Sequence, residues 1–256
     1  MFHSLRPLAS RAALVLATTT LLMSAPSYSV PTRRPFRAVP SLVVWAWERP
    51  EDLRGLDPNV GIAFLAQTIT VRDGEVSVVP RRQPLRVAPD AHLLAVTRIE
   101  ASDASSHLQS QETLAIATTI ARTASMRQVA GIQIDFDATR SQRDFYRLLI
   151  LELRRRLAPD SPISITALAS WCVEDQWLRS VGVDEVVPAI FRMGPTNQPF
   201  RDLGIADRWP AAECRDAVGT SLDEPVALDS VRRRVYVFNP KPWNAGTIAA
   251  ARHVVR

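Results

Sequence analysis

The stretch Gly131-Ile-Gln-Ile-Asp-Phe-Asp-Ala138 decides how this chain is read, because Gln133, Asp135 and Asp137 alternate with Ile132, Ile134 and Phe136. Successive side chains of a strand point to opposite faces, so one face here is apolar and the other carries two carboxylates. Carboxylates turned into a protein interior are costly unless paired or put to use. The segment that follows, Ser141 to Leu157, has helical periodicity. A strand that ends in acids and runs straight into a helix is the repeating unit of a (β/α) barrel, whose chemistry sits at the C-terminal ends of its strands.

Working outward, seven further strand-like runs are found: Ser41 to Trp47, Gly61 to Val71, His92 to Glu100, Ile163 to Trp171, Glu185 to Met193, Ala217 to Ser221 and Arg234 to Asn239. Helical periodicity is clearest at Ser110 to Met126, Ser141 to Leu157 and Trp243 to Val255, and weaker at Glu51 to Leu56 and Glu174 to Val181. Strand and helix in alternation give a parallel sheet. Eight strands in about 225 residues fit a lean barrel, and no Gly-rich phosphate loop follows the first strand as an open dinucleotide-binding sheet requires. Asp73-Gly74 between β-prone runs predicts a hairpin in place of the second helix.

The first 29 residues read as an export signal, with Arg6 and Arg11 ahead of the apolar run Ala12 to Met23 and with Ser27-Tyr-Ser29 before the cut. An uncleaved N-terminal anchor is the alternative. Residues 30–40 form a Pro- and Arg-rich linker, and 41–256 the barrel domain. The formal charge of +5 becomes +3 once Arg6 and Arg11 leave with the signal. Lys241 is the only lysine among 31 basic residues, and the arginine pairs and triplets are scattered without interleaved aromatics, which argues against nucleic acid. Export places the chain in the periplasm or outside the cell, where Cys172 and Cys214 are expected to form a disulfide; two buried reduced thiols are the alternative. His3, His92, His107 and His253 show no ligand spacing, so neither metal nor cofactor is expected.

In a barrel, residues at strand C-terminal ends meet at one mouth. The expected set is Trp45, Trp47, Gln67, Arg98, Glu100, Asp135, Asp137, Trp171, Arg192, Asn239 and Trp243. Sugars need flat apolar platforms and hydroxyl acceptors, and glycosidic cleavage needs an acid that protonates the leaving oxygen. Asp137 is the expected acid, Asp135 its modulator and Glu100 the second carboxylate. Two of these assignments have structural alternatives: Trp45 and Trp47 as core residues, and Arg98 as an ion-pair partner of Asp135. The rivals to a hydrolase are a glycan-binding barrel without catalysis, a metal-dependent hydrolase using Asp135 and Asp137, and a structural envelope protein.

Val44-Trp-Ala-Trp-Glu48, the Gly131 to Asp137 stretch, Ser164-Ile-Thr-Ala-Leu-Ala-Ser-Trp171 and Val237-Phe-Asn-Pro240 with Trp243 resemble the pattern of the bacterial domain-of-unknown-function family 3142, which brings no assigned activity with it. The fourth-strand segment is also similar to the Asp-Gly-x-Asp-x-Asp-x-Glu signature of glycoside hydrolase family 18. Gly131 takes the glycine position and Asp135 that of the carboxylate beside the acid, while Ala130 and Gln133 replace two aspartates and Asp137 replaces the Glu. The resemblance implies a (β/α) barrel and chemistry on a glycan, with a shorter acid than the signature's.

Overall fold

A computed structural model of the chain describes Met1, Phe36 and residues 39–72, 74–102, 110–173, 176–194, 197–228 and 233–254. The expected export signal and most of the linker lie outside the described residues. In chain order the strands are β1 (Leu42–Ala46), β2 (Glu51–Leu53), β3 (Val60–Arg72), β4 (Glu75–Pro80), β5 (Leu85–Val87), β6 (Leu93–Ala101), β7 (Val129–Asp135), β8 (Ile163–Leu168), β9 (Glu185–Ala189), β10 (Ala217–Ser221) and β11 (Arg234–Phe238). Helix α1 (Ser110–Ala124) follows β6, α2 (Arg143–Arg156) follows β7, α3 (Gln198–Ile205) follows β9 and α4 (Ala245–Val254) follows β11.

Strands β1, β3, β6, β7, β8, β9, β10 and β11 pair in that order, all parallel, and β1 pairs with both β3 and β11, so the ring closes. This is the (β/α) barrel expected from the sequence. It is lean for identifiable reasons. After β3 the chain turns back at Gly74, whose φ of 82° suits a residue without Cβ, and β4 runs antiparallel along the second half of β3. The Glu51 to Leu56 segment is not a helix: β2 pairs with β5 in a small separate sheet. The Glu174 to Val181 segment holds only the 3-10 turn Trp177–Ser180 among its described residues.

The alternation of the fourth barrel strand sorts the two layers of packing. Ile132, Ile134 and Phe136 bury outward with Phe145, Tyr146 and Leu149 of α2 and Ile116 and Ile120 of α1. Inside the barrel Val43, Trp45, Leu94, Val96, Val187 and Tyr236 pack together, and Phe36 and Val39 close the floor. Trp45 fills the centre because Gly219 stands opposite, where a Cβ would fall 2.7 Å from the indole.

A polar rung crosses the same level. The Trp45 indole N–H donates to Gln133 Oε1 (2.8 Å), Gln133 Nε2 to Ser164 Oγ (3.1 Å), and the Ser164 hydroxyl and the Tyr236 phenol both donate to Glu185 Oε1 (3.0 and 2.6 Å). Arg234 pairs with Glu185 and donates to the carbonyls of Phe36, Val39 and Pro40 at 2.6 to 3.0 Å. Each buried polar group in the rung is thus paired, as burial demands.

Candidate functional site

The inward row above this rung forms the mouth. Asp135 follows Gln133 on the inner face of β7, and its register partner on β6 is Arg98. Arg98 Nη1 lies 3.2 Å from Asp135 Oδ2 and Arg98 Nε lies 3.0 Å from Glu100 Oε1, so one guanidinium holds two carboxylates. On the other side the Thr166 hydroxyl donates to Asp135 Oδ1 at 2.8 Å. The Asp135 side chain is only 16% exposed. Burial pushes its carboxyl above the ordinary range; the Thr166 hydrogen bond and Arg98 act against that, and the charge of Asp137 adds to it. Burial works to loosen the Arg98 proton, but Asp135, Glu100 and Asp137 more than offset it, so the guanidinium holds its proton harder than usual.

Asp137 lies two residues past the end of β7, exposed, at the centre of a tight turn in which Ala138 N donates to Phe136 O at 2.9 Å. Its charge acts on both Asp135 and Arg98. The opposite rim is aromatic. The Phe191 and Phe238 rings stack 5.7 Å apart at an interplanar angle of 10°, Trp47 meets Phe238 edge-on at 6.5 Å, and the Arg192 guanidinium lies 4.8 Å above Phe238. Arg192 has a positive φ of 55° and its backbone N–H donates to Glu224 Oε1 at 2.9 Å, which fixes where the side chain starts.

No family model and no curated protein matches the chain. Among solved structures it is similar to the chitinase domain of the spore coat protein CotE from Clostridium difficile, with a TM-score of 0.40 and 11% identity over 67% of this chain and 56% of that one. It is also similar to the spore cortex-lytic enzyme SleL from Bacillus cereus, with a TM-score of 0.46 and 14% identity over 72% of this chain and 52% of that one. The chain therefore spans about half the length of the structures it matches.

Of the residues expected at the mouth, Asp135, Asp137, Glu100 and Arg98 share one rim, and Trp47 and Arg192 stand on the other. Five expected residues lie elsewhere. Trp45 is the barrel plug beneath the site. Trp243 lies in the outer layer, where its indole donates to Trp45 O (2.8 Å) and its backbone N–H to Glu51 Oε2 (2.9 Å). Trp171 is buried outside the barrel, edge-on to Trp177 at 4.8 Å, because β8 ends at Leu168 and a 3-10 turn leads to the Cys172–Cys214 disulfide.

Gln67 follows a bulge in β3 between Leu65 and Gln67; it is buried and donates to Thr97 Oγ1 at 3.1 Å on the outer face. Asn239 is buried in a turn, accepting from Lys241 N at 3.1 Å. Conversely, Thr166, Phe191 and Phe238 line the mouth without having been expected there. Alternation from Tyr236 gives Phe238, and from Ser164 gives Thr166, so the signal was present in the inward parity.

Proposed function

We propose that the barrel mouth binds a carbohydrate and cleaves a glycosidic bond, with Asp137 as the general acid that protonates the leaving oxygen. The observation that carries this reading is the opposition of two rims: Asp135, Asp137 and Glu100 gathered around Arg98 on one side, and Trp47, Phe191 and Phe238 on the other. The half-buried Trp47 offers an aromatic face to the C–H surface of a sugar ring, backed by the buried Phe238 stacked on Phe191, while the carboxylates take its hydroxyls. Asp137 is exposed and, among the described residues, it is the acid of this rim that Arg98 does not bond, which leaves it to meet a scissile oxygen. Asp135, held by Thr166 and Arg98, is its electrostatic neighbour, and Glu100 is the second carboxylate a hydrolase requires. The disulfide supports an oxidising compartment, and with it an exported chain.

One observation favours a second reading, a glycan-binding barrel without catalysis. Arg98 neutralises both Asp135 and Glu100, which ties down two of the three acids. A panel of oligosaccharides, scored for binding by calorimetry and for turnover by product analysis, separates the two. The hydrolase reading expects turnover by the wild type, a fall of at least about 100-fold in Asp137→Asn with affinity retained, and a loss of affinity of about tenfold in Trp47→Ala. Binding without turnover across the panel establishes the second reading. Full turnover in Asp137→Asn removes that residue as the acid.

A further inference from the structure

The two rims of the mouth differ in height. Strand β1 pairs with β3 only from Val60 to Phe64, whereas β3 continues to Arg72 with β6 on one side and β4 on the other. The acidic rim therefore belongs to a taller sheet, and the register defines what that sheet presents. Val79 of β4 pairs with Thr68 of β3, Thr68 with Arg98 of β6, and Arg98 with Asp135 of β7; Thr166 of β8 completes the row through its hydrogen bond to Asp135.

Paired residues share a face, so this is one continuous inward row across five strands. At a strand spacing of about 4.8 Å it runs roughly 19 Å. One step higher, Ser77, Thr70 and Glu100 form a parallel row. Away from the acids the wall carries hydroxyls and the side chain of Val79, 39% exposed, the mixture that suits the alternating hydroxyl and C–H surface of a sugar chain. Among the described residues the sheet ends at β4.

We infer that the mouth takes an oligosaccharide lengthwise along the Val79 to Thr166 row, with the β3–β4 hairpin holding sugar units remote from the acids. This rests on the carbohydrate reading and adds to it a substrate class: a chain of several units rather than a single sugar. Affinity must then grow with chain length, and the growth must depend on the hairpin.

The test is a set of ladders from disaccharide to hexasaccharide in the chito-, cello- and xylo-series, measured by calorimetry on the wild type, on Thr68→Val/Thr70→Val and on Val79→Ser. The valine pair keeps β-branched shape in the strand and removes only the hydroxyls. The expected result is a wild-type gain of at least about tenfold from the shortest to the longest binding oligomer. That gain should collapse in the variants, with disaccharide affinity unchanged as the sign that the fold and the acid site are intact. Equal affinity for short and long oligomers in the wild type overturns the inference and leaves the carbohydrate reading standing. A gain that persists in both variants overturns the role of the hairpin. Failure of every ladder to bind removes the carbohydrate reading and the inference with it.

Discussion

Asp135 shows most directly how one side chain records its surroundings. Burial is the strongest influence and raises its carboxyl pKa, while Thr166 and Arg98 pull it down and Asp137 pushes it up again. An unfolded chain leaves an aspartate at about 3.9, so the native state binds this proton more tightly than the unfolded one. The sign follows: the contribution of Asp135 to stability is greatest below the unfolded pKa and is lost as pH rises through the native one. Asp135→Asn removes that dependence. Urea titrations at stepped pH are expected to show the wild-type stability falling relative to the variant as pH rises from about 3 towards neutrality. A flat or rising difference means that Arg98 and Thr166 outweigh burial. The acids themselves were legible in the sequence because alternation places Asp135 beside Asp137. The aromatic rim was legible only at Trp47, since choosing Asn239 instead of Phe238 is a slip of one position, and one position reverses the face.

At the scale of elements, the place where β1 gives way to β4 depends on Arg81, the residue after β4. Its guanidinium donates from Nη1 to the carbonyls of Ala46 (3.1 Å), Trp47 (2.7 Å) and Leu65 (3.4 Å), from Nη2 to Arg49 O (2.6 Å) and from Nε to Gln83 O (2.9 Å). Ala46 and Trp47 stand at the end of β1 and Leu65 at the β3 bulge, and Trp47 O also accepts from Arg49 N (2.8 Å). Arg81→Ala removes this fan of bonds, and we expect a loss of about 2 to 3 kcal/mol, read as a lower urea midpoint at unchanged m. Arg81→Lys should recover little of it, because an ammonium lacks the planar fork. A loss below about 0.5 kcal/mol would show that water satisfies these carbonyls instead. The hairpin itself was readable from Asp73-Gly74. The bulge was not: Ala66 and Gln67 carry no chemical mark of it, yet it turns Gln67 out and Thr68 in. Trp171 was misplaced for a related reason, since nothing in Ala169-Ser-Trp-Cys172 announces that the strand has already stopped at Leu168.

For the whole molecule, the repetition of strand and helix was enough to read a closed parallel barrel, although among the described residues α-helices follow only β6, β7, β9 and β11. After β8 a covalent link holds the shell. The Cys172–Cys214 disulfide joins positions 42 residues apart, with Cα atoms 6.0 Å from each other, and encloses β9 and α3 in one covalent loop. Loop entropy assigns such a bridge about 4 kcal/mol. Replacing both cysteines by alanine is expected to lower the melting temperature by roughly 8 to 16 °C, with the barrel's circular dichroism retained below the transition. An unchanged melting temperature would show that the packing of Trp171 and Trp177 already fixes the loop. Of the strands, β1 is the keystone: it bonds to β3 on one flank and to β11 on the other. On the ribosome these partners are made far apart in time. A nascent chain lacking β11 is an open sheet with two raw edges, and the rung around Glu185 still waits for Arg234 and Tyr236. Until β11 pairs with β1, the inward rows that the finished ring conceals stay open to water.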